Sequence, residues 1–282
     1  MEDGLVIVEP AGKYLKILFR VNRVIALDKS QFQEIVLADI EGFGRSLLLD
    51  KFVQSTEKDE FLYHELLVHP AMTIHPDPRR ILILGGGEGA TLREVLKHNT
   101  VQEAVMVDID PVVVEFAKKH LEHMHRGSFN DPRAKVIIMD GRDYVKQAPR
   151  DYFDVVIMDL TDPYASDIAK PLYSREAFMD IKKIIRHDGV LVTQAGSSYF
   201  YPNEYKYVLG NTRSVFKNIY EYWFWIPSFG INVNFILASD TIRLEEALIY
   251  FDERLSARGV KTKFLNSKVL DGLLKIQVLY PD

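Results

Sequence analysis

Beyond about residue 80, short runs of unbroken apolar residues alternate with longer stretches in which apolar positions return every three or four residues. The short runs cover residues 81–84, 104–107, 136–139, 155–158 and 189–194. Continuous apolarity, as in Val155-Val-Ile-Met158, predicts strands covered on both faces, and the periodic stretches between them predict amphipathic helices. Strand and helix in strict alternation build a doubly wound parallel sheet. Before residue 70 the pattern differs. Runs at 15–26, 32–38 and 46–50 are β-branched or alternating and are separated by Asp28-Lys29-Ser30 and Glu41-Gly42, which predicts a small antiparallel β unit. Residues 63–68 read as helix, and prolines punctuate the stretch from His69-Pro70 to Pro76-Asp-Pro78. The expected organisation is an amino-terminal β domain over residues 1–70 and a main α/β domain over 71–282. The first is too small to bury a full core alone and is given an oligomerisation role.

The run at 81–84 opens into Gly85-Gly-Gly-Glu-Gly89 and then a helix. Strand, glycine turn and helix N-terminus together make a nucleotide cradle. Gly85, Gly87 and Ala90 fit G-x-G-x-x-A, and Asp108 closes the next run, where an acid holds a ribose diol. A nicotinamide dinucleotide suits these points. So does an adenosylmethionine-type nucleoside, which carries no phosphate. Glu88 tilts the choice, because a carboxylate inside the turn repels a pyrophosphate or an amino-acid carboxylate and attracts a cationic arm. The later strands also end in polar groups: Asp140-Gly141, then Asp159-Leu-Thr-Asp162, then Gln194. Ligands of such sheets lie beyond the carboxyl ends of the strands, so these residues are candidates for the site.

Composition adds mainly exclusions. The chain has 282 residues, 47% hydrophobic and 27% charged, with no cysteine and a net charge of −5. Disulfides, thiolate metal sites and a cysteine nucleophile are ruled out, and nucleic acid is not the expected partner. No apolar run approaches the roughly 20 residues of a membrane span, and Met1-Glu-Asp-Gly lacks the basic start of a signal peptide, so a cytoplasmic location is expected. His120, His123 and His125 with Glu122 read as side chains suited to a helix carboxyl end rather than as metal ligands. The run 220–225 reads as a buried strand with an edge at the site.

Five segments carry a resemblance: Ser55-Thr-Glu-Lys-Asp-Glu-Phe-Leu-Tyr-His-Glu65, the loop Gly85 to Gly89, Val107-Asp-Ile-Asp110, Asp140-Gly141 and Asp159-Leu-Thr-Asp-Pro163. With weaker matches further on they span nearly the whole chain, which resembles the polyamine aminopropyltransferases of the spermidine synthase family. The resemblance implies a Rossmann-like catalytic domain of the adenosylmethionine-dependent methyltransferase type. It also implies transfer of the aminopropyl group of decarboxylated S-adenosylmethionine to an amine, with release of 5′-methylthioadenosine. A sulfonium is already a good leaving group, so no metal and no cofactor beyond this co-substrate is called for.

By the same resemblance Glu88 meets the ammonium of the donor arm, Asp108 the ribose, Ile109 the adenine face, and Asp140 beside Gly141 the adenine amino group. Gln33 and His64 match positions that help hold the arm. The attacking amine arrives protonated, so a carboxylate must dock it and take its proton; Asp159 is the candidate, with Tyr63 sharing the hydrogen bond. Asp162, Gln194 and Trp225 are expected on the acceptor side, and residues 163–171 as a loop ordering over the site. Glu88, Val192-Thr-Gln-Ala-Gly196 and Ile226-Pro-Ser-Phe229 are most similar to thermospermine synthases and thermophile enzymes acting on agmatine or triamines. Phe229 stands where many spermidine synthases carry a tyrosine near their diamine. Agmatine or a triamine such as spermidine is therefore the expected acceptor, with putrescine as the alternative. A methyltransferase on the same fold and a non-catalytic nucleoside-binding protein remain as further readings, and a homodimer or homotetramer is expected.

Overall fold

The computed structural model describes residues 4–162 and 170–281. Strands β1 (Leu5–Ala11), β2 (Leu15–Lys29), β3 (Glu34–Ile40), β4 (Gly44–Leu49) and β5 (Phe52–Thr56) form an antiparallel sheet in that order. The outer pair β1 and β5 extends the three strands read from the sequence. Ile35, Leu37 and Leu47 bury one face of this sheet against Val113, Phe116, Ala117 and Leu121.

Helix α1 (Glu60–Ile74) follows, then β6 (Arg80–Gly85), α2 (Ala90–Leu96), β7 (Glu103–Asp108), α3 (Pro111–His120), α4 (Glu122–His125), β8 (Ala134–Ile138), α5 (Gly141–Gln147), β9 (Phe153–Asp159), α6 (Arg175–Ile184), β10 (Ile185–Gln194) and α7 (Pro202–Arg213). Strand β11 (Asn218–Ile226), β12 (Ile231–Ser239) and helices α8 (Leu244–Ala247), α9 (Phe251–Ala257) and α10 (Ser267–Lys275) complete the order. The second sheet has seven strands ordered β11-β12-β10-β9-β6-β7-β8. Five are parallel, as the apolar runs predict. β12 is antiparallel to both its neighbours, so the sheet is mixed rather than parallel throughout. The reason is local: only residues 227–230 separate β11 from β12, too few for the crossover that parallel strands require.

The chain runs outward from β6 through β7 to β8 and returns to β9 on the other side of β6. This reversal is the topological switch point, where ligands of open α/β sheets bind. It sets Gly85 and Asp159 opposite each other in register.

Helix α1 passes through the proline-punctuated stretch, so the division expected between residues 70 and 71 falls inside a helix. It is buried on nearly every side against the larger sheet and α2. Pro70 lacks the N–H that would reach the Leu66 carbonyl, and the buried Tyr222 hydroxyl donates to that carbonyl at 2.8 Å instead. Two guanidiniums close the helix end: Arg254 donates to the Thr73 and Ile74 carbonyls, and Arg258 to those of Met72, His75 and Pro76. Nearer the start, Glu65 accepts the backbone N–H groups of Lys263, Phe264 and Leu265. α1 is thereby fixed at three points, and it presents Tyr63 and His64 to the switch point.

Tyr222→Phe should lower unfolding stability by about 1 to 2 kcal/mol, since it orphans a buried carbonyl. Adding Pro70→Ala, which restores the intrahelical donor, should recover most of that loss in a denaturation double-mutant cycle. Strict additivity of the two changes would show that the hydroxyl is not standing in for the missing N–H.

Candidate active site

Glycine shapes the centre of the site at two positions. Gly85 has φ +83°, and a Cβ there would run into the Asp159 carbonyl; at Gly87 a Cβ would sit 2.6 Å from Asp108 Oδ2. The backbone can therefore press against both acid-bearing strand ends. The resulting cavity of about 210 Å³ is lined by Gln33, Tyr63, His64, Gly85, Gly87, Glu88, Asp108, Ile109, Asp140, Gly141, Asp159, Asp162 and Gln194. Of the residues singled out from the sequence only Trp225 is missing. β11 alternates faces, so Trp225 lies with Trp223 opposite the buried Tyr222 and is about half exposed, away from the cavity. Trp223 on the same face donates to the Gln277 carbonyl. Residues 163–169 of the expected covering loop lie outside the described residues.

Asp159 is held on both sides. Its Oδ1 accepts from the Tyr63 hydroxyl at 2.8 Å and its Oδ2 from Thr91 at 2.6 Å, while its backbone carbonyl accepts from Gly86 N–H. Burial, followed by the Asp159 charge, raises the Tyr63 hydroxyl well above its ordinary value, so it stays a phenol and a donor. Gln194 lines the cavity with its polar atoms already engaged: its amide donates to the Leu160 carbonyl and Tyr173 hydroxyl, and its oxygen accepts from Gly196 N–H.

Asp108 accepts from Asp110 N–H at 2.8 Å. Burial, helped by the nearby Asp110 charge, pushes its carboxyl up to about 6 against the pull of the Asp110 and Gly87 backbone N–H groups. Asp140 caps α5 and pairs with Arg142 at 2.7 Å, which holds it below its ordinary value despite partial burial. Gln33 is oriented by Asp110, which accepts its amide at 2.9 Å and the Ser30 hydroxyl at 2.6 Å and also caps α3. One acid thus ties the small sheet to the rim of the cavity.

Glu88 is buried, and no described group gives either of its oxygens a well-aligned hydrogen bond. Its neighbour is His64 Nε2, 2.8 Å from Oε1 but off the N–H line, so the contact is ionic. Burial opposes the imidazolium, but Glu60 and Glu88 outweigh it and push His64 up to about 10. Burial raises Glu88 in turn, with His64 restraining it.

Several contributors escape a sequence reading. Glu9 lines the cavity and is 6% exposed; burial raises it to about 7 against a hydrogen bond from Val53 N–H, and the Asp162 charge adds to the rise. Its signal is present in retrospect, since the alternation of Leu5-Val-Ile-Val-Glu9 puts a carboxylate on the inward face with Ile7. Asp59 accepts from Ser228 N–H at 2.7 Å and so fixes the turn that places Phe229 5.9 Å from the Tyr63 ring. Among the described residues no group of three His, Asp or Glu side chains is arranged to hold a metal ion, and no helix is long and apolar enough to cross a membrane.

Residues 60–246 match the spermine/spermidine synthase domain. The chain belongs to that family. It is 52% identical over 279 residues to the polyamine aminopropyltransferase of Pyrobaculum calidifontis, covering 97% of this chain and 96% of that one. It is 50% identical to polyamine aminopropyltransferase 1 of Hyperthermus butylicus, over 97% and 95% of the two chains. Among solved structures, a spermidine synthase in complex with the transition-state analogue AdoDATO superposes with a TM-score of 0.92 at 30% identity, covering 98% of this chain and 93% of that one. The spermidine synthase of Thermotoga maritima gives 0.90 at 30% identity, over 98% and 92%. The protein is accordingly an enzyme, a polyamine aminopropyltransferase, and its two-sheet architecture is that of the spermidine synthases.

In a carboxyl ¹³C NMR titration of the ligand-free enzyme, Asp108 should titrate near pH 6 and Asp140 below the ordinary aspartate value. An Asp108 midpoint near the ordinary 3.9 would mean that the site does not desolvate it.

Proposed function

We propose that the enzyme moves the aminopropyl group of decarboxylated S-adenosylmethionine to agmatine or a triamine such as spermidine, releasing 5′-methylthioadenosine. The observation that carries the donor reading is Glu88, a buried carboxylate without an aligned donor at the mouth of a glycine loop. Its charge suits the ammonium left after decarboxylation and opposes the carboxylate of intact adenosylmethionine. Asp108 suits the ribose diol, Ile109 the adenine face, and Asp140 with Gly141 the adenine edge, with Gln33 and His64 beside the arm. That a relative of the same fold was solved with the transition-state analogue AdoDATO supports an aminopropyl donor as co-substrate.

Asp159 docks the attacking amine and accepts its proton. Tyr63 and Thr91 occupy one lone pair on each oxygen, leaving others for the substrate, and fix the plane of the carboxylate. The amine nitrogen forms a bond to the methylene beside the sulfonium, the carbon–sulfur bond breaks, and sulfur leaves as a neutral thioether. Orientation in a partly dry cavity supplies most of the acceleration. Asp162 and Glu9 extend the line of carboxylates away from Asp159, which suits an acceptor with further cationic centres. Phe229 contributes no hydroxyl at the wall where a short diamine would need one. Asp159→Asn should lower kcat by about two orders of magnitude or more, with donor binding near normal; a variant keeping most of its turnover at neutral pH would place the proton acceptor elsewhere.

Steady-state kinetics on a panel of putrescine, agmatine, spermidine and norspermidine should give the plain diamine a lower kcat/KM than agmatine or spermidine. A missing hydroxyl accounts for only about 1 kcal/mol, so residual putrescine activity is expected. A kcat/KM for putrescine above those of agmatine and spermidine would make this an ordinary putrescine-using spermidine synthase.

The small sheet is also proposed to join copies of the chain, and a cytoplasmic location follows from the biosynthetic role. Exposed apolar side chains stand on both faces of the β1–β2 hairpin, Val6, Val8 and Leu18 on one and Leu5, Val24 and Leu27 on the other, with Leu18 at 58% and Leu27 at 69%. Exposure of this kind marks an interface. Leu18→Glu combined with Leu27→Glu should reduce the mass seen by light scattering; an unchanged oligomer would move the interface off this hairpin.

A further inference from the structure

Behind Glu88 a chain of buried ions runs back from the cavity. His64 is its first link. The Nε2 of the ring faces Glu88 Oε1, and Nδ1 lies 2.8 Å from both the backbone carbonyl and Oε2 of Glu60. Both ring nitrogens therefore have oxygens as their polar neighbours, and a neutral imidazole would leave a lone pair beside one of those oxygens. Arg93 comes next, forked onto Glu60 with Nη1 at 3.1 Å from Oε1 and Nη2 at 2.8 Å from Oε2, with Nε 2.7 Å from Glu94 and a further bond to the Met124 carbonyl. Glu60, His64, Glu88, Arg93 and Glu94 are all at most 8% exposed. Burying so many charges is expensive and gives little net stability, so a packing role alone explains it poorly.

We propose that Glu60 and Arg93 are positioning residues for the donor's aminopropyl arm: the pair holds His64 as an imidazolium, and the imidazolium keeps Glu88 ionised and aimed into the cavity. The proposal rests on the donor reading above. Without a cation behind it, burial would favour the protonated form of Glu88, which has no charge to offer an ammonium. The groups around His64 are few. Glu60 and the Tyr63 ring face it from α1 and Glu88 from the glycine loop, while Arg93 of α2, Asp159 of β9 and His123 of α4 act on those carboxylates from one step further out. Arg93 touches neither the cavity nor His64, so its influence passes through Glu60.

Imidazole ¹⁵N NMR of the ligand-free enzyme at pH 8 tests the first half, because it needs no substrate. Two protonated ring nitrogens on His64 are expected; a neutral tautomer overturns the proposal and leaves the donor reading untouched. Kinetics test the second half. In Glu60→Gln the donor KM should rise at least tenfold at pH 8.5 and much less at pH 6.5, where His64 regains its proton, while kcat at saturating donor and the acceptor KM stay within twofold. Glu60→Asp should recover part of the loss. An unchanged donor KM, or a change that ignores pH, contradicts the positioning role. Should Glu60→Gln fail to fold, the ¹⁵N measurement on the wild type still decides, and Arg93→Lys, which keeps the charge and loses the fork, should raise the donor KM in the same pH-dependent way.

Discussion

Mutual repulsion among carboxylates is the constraint on which this architecture turns. Glu9, Glu88, Asp108, Asp140, Asp159 and Asp162 all line one cavity of about 210 Å³. Two of them are raised by burial and neighbouring charge to about 7 and about 6, Glu9 and Asp108 respectively. Such a cluster is tolerated where fixed cations and hydrogen-bond donors offset it, and it is most relaxed when cationic ligand enters. The fold supplies the fixed part: Arg142 against Asp140, Tyr63 and Thr91 against Asp159, and the His64 ion pair against Glu88. In the proposed reading, the sulfonium and ammonium of the donor and the amines of the acceptor supply the rest.

The sheet topology decides which carboxylates meet. Reversal of strand order between β6 and β9 puts Gly85 beside Asp159, so the loop proposed to receive the donor and the acid proposed to receive the acceptor share one ladder. Helix α1 then brings Tyr63 and His64 from the side, and its burial explains why it needs unusual fastening. A proline interrupts its ladder at Leu66, a tyrosine from β11 repairs that point, and two arginines close its carboxyl end. The small amino-terminal sheet completes the wall, because Glu9 and Gln33 reach the same cavity.

Much of this was legible in the chain because strand ends in an open α/β sheet carry the chemistry, and apolar runs reveal the strand ends. Gly85, Glu88, Asp108, Asp140 and Asp159 stand out in that way, family resemblance adds Gln33, Tyr63 and His64, and all eight line the cavity. What escaped depends on long-range placement. Glu9 lies 150 residues before Asp159 and becomes a site residue only when β1 folds over the cavity. Trp225 reads as a pocket aromatic until the pleat of β11 turns it outward. Gln194 ends a strand as expected, yet its amide is spent on Leu160 and Tyr173. Pro70 reads as a break because nothing nearby in sequence announces that Tyr222 will donate to Leu66.

Glu88, a buried carboxylate in the glycine loop, is proposed to select a donor whose tail is cationic. Isothermal titration calorimetry of Glu88→Gln against decarboxylated and intact adenosylmethionine measures that selection. Loss of a buried charge-assisted hydrogen bond of about 1.5 to 3 kcal/mol should weaken the decarboxylated nucleoside by roughly 10- to 150-fold. Intact adenosylmethionine should hold its affinity or gain. Equal losses for the two nucleosides would mean that Glu88 does not discriminate between the two tails.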